Sequence, residues 1–168
     1  MPMTRVLGAR RAYIGLGSNL DQPERRIVQA IAEIDNLRDI RVVRRSSLYR
    51  SAPVGYVEQP DFVNAVVSVE TILAPAELLN QLLAVEQRHG RRREFANAPR
   101  TLDLDLLLYD DWELNAPGLR IPHPRMLQRG FVLRPLHEID PALLIPGAGP
   151  LKEYLDQCAD QNVQLVQP

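Results

Sequence analysis

The chain has 168 residues, of which 45% are hydrophobic and 24% charged, and this is enough for one domain with its own core. The net charge of −1 gives no bulk electrostatic case for binding nucleic acid or an anionic membrane. The single cysteine excludes a disulfide framework, and no apolar run is long enough to span a bilayer. We therefore expect a cytoplasmic protein with a single domain over residues 1–168, whose core lies roughly in residues 11–140.

The first predicted strand covers residues 11–17 and carries glycines on one of its faces. Alternation divides its side chains between two faces: Ile14 and Leu16 on one, and Tyr13, Gly15 and Gly17 on the other. Outward-facing glycines on a strand often mark a place where another group approaches the backbone closely. An amphipathic helix is predicted next, over residues 23–36, with Pro23 in its first turn.

Two further strands are predicted over residues 40–50 and 61–72, joined by a loop over residues 51–60. The third strand has a core face and a second face: Val63, Ala65, Val67 and Val69 on the first, and Phe62, Asn64, Val66 and Ser68 on the second. Phe62 and Asn64 therefore lie side by side. They are either an exposed aromatic beside a surface amide or a flat stacking surface next to a hydrogen-bonding amide.

A second helix is predicted from Pro75 to a stop at Gly90, and a basic loop over residues 91–99 leads into a fourth strand over residues 100–109. Alternation again divides the strand: Leu102, Leu104, Leu106 and Leu108 on one face, and Asp103, Asp105 and Leu107 on the other. The Cβ atoms of the two aspartates are expected about 7 Å apart. Carboxylates this close repel unless a cation lies between them, so the pair is either a metal site or a solvated edge.

The C-terminal part of the chain gives weaker signals. We predict a short added strand at residues 112–114 and a loop or helix start at residues 121–126. A helix is predicted over residues 127–138, interrupted by Pro135, and a terminal helix over residues 151–157.

The order strand, helix, strand, strand, helix, strand predicts an α+β, ferredoxin-like βαββαβ fold with C-terminal additions. Both helices then lie on one face of an antiparallel sheet, and the active site lies on the other. The usual order across such a sheet is fourth, first, third and second strand. The two aspartates and the Phe62–Asn64 pair should therefore share the open face, about 10 Å apart, with glycines between them.

Carboxylates without histidine or cysteine companions favour Mg²⁺ as the bound cation. Two of them can bridge two ions, a geometry that clamps both sides of an in-line displacement at phosphorus. Arg100 and the arginines at residues 91–93 are candidates for charge-assisted contacts to phosphates.

Motifs spread over nearly the whole chain resemble those of the 6-hydroxymethyl-7,8-dihydropterin pyrophosphokinases, a family of folate biosynthesis. The motifs are Tyr-Ile-Gly-Leu-Gly-Ser-Asn-Leu at 13–20, Ser-Leu-Tyr-Arg-Ser at 47–51, Gln-Pro-Asp-Phe-Val-Asn-Ala at 59–65, Glu86 through Gly90 and Arg91, Pro-Arg-Thr-Leu-Asp-Leu-Asp at 99–105, Ile-Pro-His at 121–123 and Arg-Gly-Phe at 129–131. The run at 99–105 is highly specific for this family.

The resemblance implies transfer of the terminal pyrophosphate of ATP to the hydroxymethyl group of the pterin, with release of AMP. These two small molecules are then the partners, and neither nucleic acid nor a membrane is implied. Two Mg²⁺ ions would be held by Asp103 and Asp105, which together with Arg91 and Arg100 are the implied catalytic residues. The implied pterin-binding residues are Ser51, Val54, Gly55, Phe62, Asn64, Asp103 and Phe131. The implied ATP-binding residues are Glu86, Arg91, Arg100, Leu106, Arg120, His123 and Arg129.

The sequence also departs from the best-known bacterial pattern of that family. The loop before Pro99 is one residue shorter and lacks a tryptophan near Asn97 that would cover the pterin. Pro124 stands where a tyrosine is common, and Ala52 replaces one proline of a common pair. None of these changes removes a proposed metal ligand.

Two other functions remain open at this point. A non-catalytic ferredoxin-like module could bind a small ligand or RNA on its sheet, but RNA-binding sheets usually combine several aromatics with net basic charge. A Mg²⁺-dependent nucleotidyl transferase or an ordinary kinase would share the metal chemistry, but would not explain Phe62 beside Asn64.

Overall fold

The computed structural model describes residues 8–55, 57–90, 99 and 101–166. Within them the chain is a mixed α/β structure with an antiparallel sheet and four α-helices. The N-terminal elements are β1 (Arg10–Ser18), α1 (Pro23–Asp35), β2 (Ile40–Arg45), β3 (Tyr49–Ser51), β4 (Phe62–Thr71), α2 (Pro75–Arg88) and β5 (Asp103–Tyr109). The C-terminal elements are β6 (Leu114–Ala116), β7 (Leu119–Ile121), a 3₁₀ helix (Met126–Gln128), α3 (Gly130–Ile139), β8 (Leu144–Ile145), β9 (Gly149–Pro150), α4 (Leu151–Gln157) and β10 (Val163–Leu165).

The main sheet has β1 at its centre, between β5 and β4. Both β2 and β3 pair with the far side of β4, and β10 pairs with β3. The predicted second strand is therefore two strands, because Ser46 interrupts it. The amide of Ser46 donates to the Val66 carbonyl at 2.9 Å, while its hydroxyl oxygen accepts from the Val66 amide at 2.9 Å. A side chain thus takes the place of a backbone partner at this point.

Each face of the sheet has its own hydrophobic core. On one face, the apolar stripes of α1 and α2 cover alternate residues of β1, β4 and β5. On the other face, α3 and α4 cover a second cluster that includes Tyr13, Val66 and Leu107. The C-terminal additions therefore cover part of the face that the strand order alone leaves open, and the rest of that face forms a cleft.

A β-bulge in β5 makes one predicted face assignment wrong. Tyr13 pairs with Leu108 but Ile14 pairs with Leu106, so that Leu107 is an extra residue in β5. Leu107 and Leu108 consequently both pack in the second core, and Tyr109 packs in the first. Leu108 does not share the face of Leu102, Leu104 and Leu106.

The C-terminal predictions also need correction. The helix predicted over residues 127–138 is a 3₁₀ turn followed by α3, which continues through Pro135. Pro135, the sixth of the ten residues of α3, has no amide hydrogen to donate, and its buried ring packs on the apolar side. The added strand predicted at residues 112–114 begins only at Leu114, as β6, and Trp112 lies between the turn at residues 110–111 and this strand. The terminal helix is confirmed as α4.

The C-terminal end of α3 is joined to the sheet by hydrogen bonds from two buried tyrosines. Tyr13 donates to Asp140 at 2.6 Å, and Tyr49 donates to Glu138 at 2.6 Å. Burial, followed by the neighbouring carboxylate, raises the pKa of each phenol to about 12. Both tyrosines therefore stay protonated donors over the physiological pH range.

Searching the described part of the chain for a helix of the length and apolar character needed to cross a membrane yields none.

The second core should contribute substantially to the stability of the fold. Leu133 is 0% exposed in α3, whereas Leu144 in β8 is 66% exposed. We expect Leu133→Ala to lower the free energy of unfolding by about 2–5 kcal/mol, because it leaves a cavity in a packed core. Leu144→Ala should change it by less than about 0.5 kcal/mol. Urea denaturation of both variants measures the difference, and equal effects would contradict the assignment of the second core.

Alkaline pH should destabilise the fold through the two tyrosines. Their pKa is raised in the folded state, so their contribution is complete below the unfolded value of about 10. It should be lost as pH rises toward 12, because unfolding then releases protons. The double variant Tyr13→Phe and Tyr49→Phe should show a smaller decline in unfolding free energy between pH 9 and pH 11, measured by urea denaturation. Identical declines in the variant and the unmodified protein would disprove this linkage.

Candidate active site

A cleft of about 850 Å³ lies on the sheet face opposite α1 and α2. Its floor comes from β1, β4 and β5, and its walls come from the loop after β3, the segment around α3 and the residues before β10. Nine of the predicted site residues line it: Ser51, Val54, Phe62, Asn64, Asp103, Asp105, His123, Arg129 and Phe131.

Strand register places the two ends of the cleft on either side of a glycine floor. Asn64 pairs with Gly17, and Gly17 pairs with Asp103 on its other side. Gly15 in turn pairs with Asp105. Asn64 and Asp103 are therefore separated by two strand spacings, about 10 Å, as the strand order predicts. Because Gly15 and Gly17 of β1 have no side chains, the path between Asn64 and Asp103 stays open.

The amide end of the cleft has a fixed orientation. Asn64 is 4% exposed, and its Nδ2 donates to the hydroxyl oxygen of Ser51 at 2.7 Å. Its Oδ1 faces β1, where a Cβ added at Gly17 would lie 3.4 Å away. Ser51 therefore holds Asn64 through its side chain, in addition to the backbone role implied by the family resemblance. Phe62, which is half-buried, lies beside this amide in the lining.

The start of α3 supplies a second aromatic and a cation. Phe131 is half-buried in the lining, and the Arg129 guanidinium lies 5.6 Å from the centre of its ring. At this distance the ring attracts the cation. Val54 in the opposite wall is 65% exposed. Gly55 is exposed with a φ of 82° but is not among the lining residues described.

His123 is a neutral hydrogen-bond donor at the cleft. Its backbone amide donates to the Leu107 carbonyl at 2.9 Å, which ties its loop to β5. Burial, and then the positive charges of Arg129 and Arg125, lowers its pKa to about 4. Its Nδ1 accepts from the amide of Arg125 at 3.2 Å, so the proton of the neutral ring is on Nε2.

Three of the implied ATP-binding residues are not among the lining residues described. Glu86 is 1% exposed and accepts a hydrogen bond from the Leu104 amide at 3.0 Å, on the helix side of β5. The side chain of Leu106 is in the first core, because it lies on the same face of β5 as Leu104. Arg120 is exposed on β7. Arg91, Arg100 and the rest of the loop at 91–98 lie outside the described residues.

Several lining residues have no counterpart among the predictions: Arg125, Gln128, Gln161 and Asn162. The last two precede β10, a strand of three residues whose sequence shows only a brief alternation of Val163 and Leu165. A pattern this short cannot distinguish a strand from a loop.

Among the lining residues described, Asp103 and Asp105 carry the carboxylates that could hold a metal ion. Among the residues that the structure describes, no group of three or more histidine, cysteine, aspartate or glutamate side chains could do so. A pair of carboxylates fits Mg²⁺, which keeps several waters and takes its remaining ligands from substrate phosphates. Two carboxylates are too few ligands for a metal ion whose coordination shell is supplied entirely by the protein.

Comparison with known proteins gives one consistent result. The family model "7,8-dihydro-6-hydroxymethylpterin-pyrophosphokinase (HPPK)" matches residues 13–141. A 2-amino-4-hydroxy-6-hydroxymethyldihydropteridine pyrophosphokinase of Pseudomonas aeruginosa is 42% identical over 155 residues, covering 92% of this chain and 96% of the relative. A protein of the same name in Haemophilus influenzae is 41% identical over 157 residues, covering 94% and 98%.

Longer proteins also contain a matching region. Folic acid synthesis protein fol1 of Pneumocystis carinii is 39% identical over 157 residues, which cover 93% of this chain and 21% of the relative. A crystal structure of Plasmodium falciparum HPPK-DHPS with pteroate superimposes with a TM-score of 0.72 at 12% identity. The match covers 92% of this chain and 43% of that chain, and at this identity it supports the fold alone.

Ser51 should matter because a buried amide depends on it. Ser51→Ala leaves Nδ2 of Asn64 without its hydroxyl partner in a buried position, so we expect a loss of about 1–3 kcal/mol in unfolding free energy. In a double-mutant cycle with Asn64→Ala, the two losses should not add, because either change removes the same interaction. Additive losses in urea denaturation would show that this hydrogen bond is not important.

Proposed function

Because the chain belongs to the 7,8-dihydro-6-hydroxymethylpterin-pyrophosphokinase family, we propose that it transfers pyrophosphate from ATP to 6-hydroxymethyl-7,8-dihydropterin in folate biosynthesis. The hydroxymethyl oxygen loses its proton to water and forms a bond to the β-phosphorus, while the bond between the β-phosphorus and the oxygen bridging to the α-phosphate breaks. AMP leaves with that oxygen. The observation that carries the proposal is the row Asn64, Gly17 and Asp103, which joins a ring-binding end to a carboxylate end. A two-substrate transfer needs both ends in one cleft.

We infer a ferredoxin-like core from the order of the predicted strands across the sheet. β5, β1, β4 and β2 are neighbours in that order, all antiparallel, with α1 and α2 against one face. β3 and β10 extend this arrangement on the side of β4. We further propose one pyrophosphokinase domain over residues 1–168, with its core roughly in residues 11–140.

At the ring-binding end, Phe62 and Phe131 are proposed to stack on the two sides of the pterin. Asn64, oriented by Ser51, is proposed to hydrogen-bond the edge of the ring. The backbones of Ser51, Val54 and Gly55 and a contact from Asp103 complete the proposed set.

At the other end, Asp103 and Asp105 would hold Mg²⁺, two ions in the proposal, and these would neutralise the phosphate charge that resists the transfer. His123, neutral and protonated on Nε2, is proposed to donate a hydrogen bond to ATP, and Arg129 to contact it as a cation. Arg91 and Arg100 are proposed as the catalytic arginines that contact the phosphates.

The three remaining residues of the implied ATP-binding set are proposed to act in different ways. A role for Leu106 would use its backbone, because its side chain is in the first core. Glu86 would act by holding the backbone of β5 at Leu104. Arg120 would reach the nucleotide from the exposed surface of β7.

The alternative of an RNA-binding module has less support. Two aspartates on the sheet face would repel a phosphate backbone, and the net charge of −1 adds no attraction. We propose a cytoplasmic enzyme whose partners are its two small-molecule substrates, without a nucleic-acid or membrane partner.

The nucleotide product tests the reaction. Incubation with MgATP and 6-hydroxymethyl-7,8-dihydropterin should release AMP in an amount equal to the pterin consumed, measured by anion-exchange chromatography. ADP would indicate an ordinary kinase, and absence of turnover by folded protein would reject the enzyme. Chelation of divalent ions with EDTA should stop the reaction, and excess Mg²⁺ should restore it.

The carboxylates can be tested with matched variants. Asp103→Asn and Asp105→Asn should each lower kcat by at least about 100-fold, because a neutral amide binds Mg²⁺ more weakly than a carboxylate does. Their circular dichroism and urea midpoints should stay close to those of the unmodified protein. Asp111→Asn removes an exposed carboxylate in the turn just after the same strand and should keep full turnover. Near-normal rates in either cleft variant would refute the metal assignment.

A further inference from the structure

Gln161, in the segment between α4 and β10, makes two hydrogen bonds to the backbone on either side of Arg129. Its Oε1 accepts from the amide of Gly130 at 2.8 Å, and its Nε2 donates to the carbonyl of Gln128 at 2.8 Å. A single carboxamide therefore bridges the 3₁₀ turn and α3. Its position lies beyond residues 13–141, which the family model matches.

The first bond satisfies a requirement of the helix start. Arg129 is the N-cap of α3, and a guanidinium has no acceptor with which to cap the first amides. The amide of Gly130 is one of the donors that has no partner within the helix. Gln161 supplies the acceptor from a distant part of the sequence. The end of α3 that carries Arg129 and Phe131 is thus fixed by a side chain outside the helix.

The space around Gly130 is a second observation on the same contact. A Cβ added there would lie 3.1 Å from Oε1 of Gln161, tighter than ordinary van der Waals contact. It would lie 3.4 Å from Cγ2 of Val163 and 3.5 Å from Cβ of Cys158, which are tolerable distances. The φ of Gly130 is not positive, so its backbone does not demand glycine. A side chain at position 130 would therefore require Oε1 of Gln161 to move by a few tenths of an ångström.

We propose that Gln161 is a positioning residue, which holds Arg129 and Phe131 at the cleft by clamping the backbone between Gln128 and Gly130. The proposal rests on the proposed function, in which Phe131 stacks on the pterin. Gln161 is itself exposed, so its replacement removes the clamp without opening a cavity in the core.

The test compares Gln161 with Gln164, an exposed glutamine three residues further along the chain. Gln161→Met keeps the side-chain size and removes both hydrogen bonds. Gln164→Met is the control, because Gln164 is exposed on β10 and its side chain makes no hydrogen bond among the described residues. For each variant, pterin KM and kcat are measured, together with the Kd of the fluorescent analogue 6-hydroxymethylpterin. Hydrogen exchange of the Gly130 amide is followed by NMR in the ligand-free protein.

Gln161→Met should raise pterin KM and analogue Kd by about 5–10-fold, the amount expected for one hydrogen bond, and change kcat by less than about 2-fold. Exchange at Gly130 should accelerate, and Gln164→Met should change none of these. A purely structural role would lower kcat through the folded fraction and leave KM unchanged, which would overturn the proposal. Unchanged exchange at Gly130 would overturn the clamp itself, and this readout does not depend on turnover. Lack of turnover by the unmodified protein would instead refute the proposed function.

Gly130→Ala provides a second variant, in which residue 161 remains glutamine. It should weaken pterin binding in the unmodified background, because the new methyl group displaces Oε1 of Gln161. In a Gln161→Ala background the same change should have little further effect, because the conflicting atom is gone. Equal effects of Gly130→Ala in both backgrounds would also overturn the proposal.

Discussion

The pairing of β1 with a neighbour on each side is the constraint on which the rest of the structure depends. Register on one side brings Asn64 to Gly17, and register on the other brings Asp103 to the same glycine. A shift of one residue in either pairing would move the aspartates or the amide to the face covered by α1 and α2. The same strand supplies Ile14 and Leu16 to the first core, so the core packing and the cleft select one register together.

The second face of the sheet is divided between packing and binding. Toward one end of the strands, α3 and α4 cover Tyr13, Val66 and Leu107, and the tyrosine hydrogen bonds hold the C-terminal end of α3 in place. Toward the other end, the glycines and aspartates stay uncovered and the cleft begins. The N-terminal end of α3 lies at this boundary, so a helix that closes a core also carries two proposed substrate contacts.

Much of this arrangement can be predicted from the sequence, for a physical reason. Alternation places Asp103 and Asp105 on the face of β5 that Leu104 does not share. The same period of two predicts the faces of Gly15, Gly17 and Asn64. The prediction is wrong for Leu108, because a bulge depends on how β5 fits β1 and leaves no local signal. The split at Ser46 also depends on a partner, Val66, that is distant in sequence.

The cleft wall formed by residues 161–163 could not be predicted from the sequence, for a different reason. Its residues acquire their role only from contacts with β3 and α3, since Val163 pairs with Ser51 and Gln161 bonds to Gly130. Short strands of this kind are specified by tertiary context more than by their own sequence. Glu86 and Leu106 are assigned to the ATP site by motif resemblance alone. A motif match does not tell which face of the sheet a side chain occupies, and both side chains lie on the face of α1 and α2.

The pairing of β3 with β10 has a consequence for synthesis of the protein. A chain leaves the ribosome from its N-terminus, so the sheet floor and both aspartates are available well before Gln161 and Val163 have been made. During that interval Ser51 has no strand beside it on its outer side, and the start of α3 lacks its external acceptor. The cleft is therefore among the last parts of the nascent chain to be completed, because its wall at residues 161–163 is made after its floor.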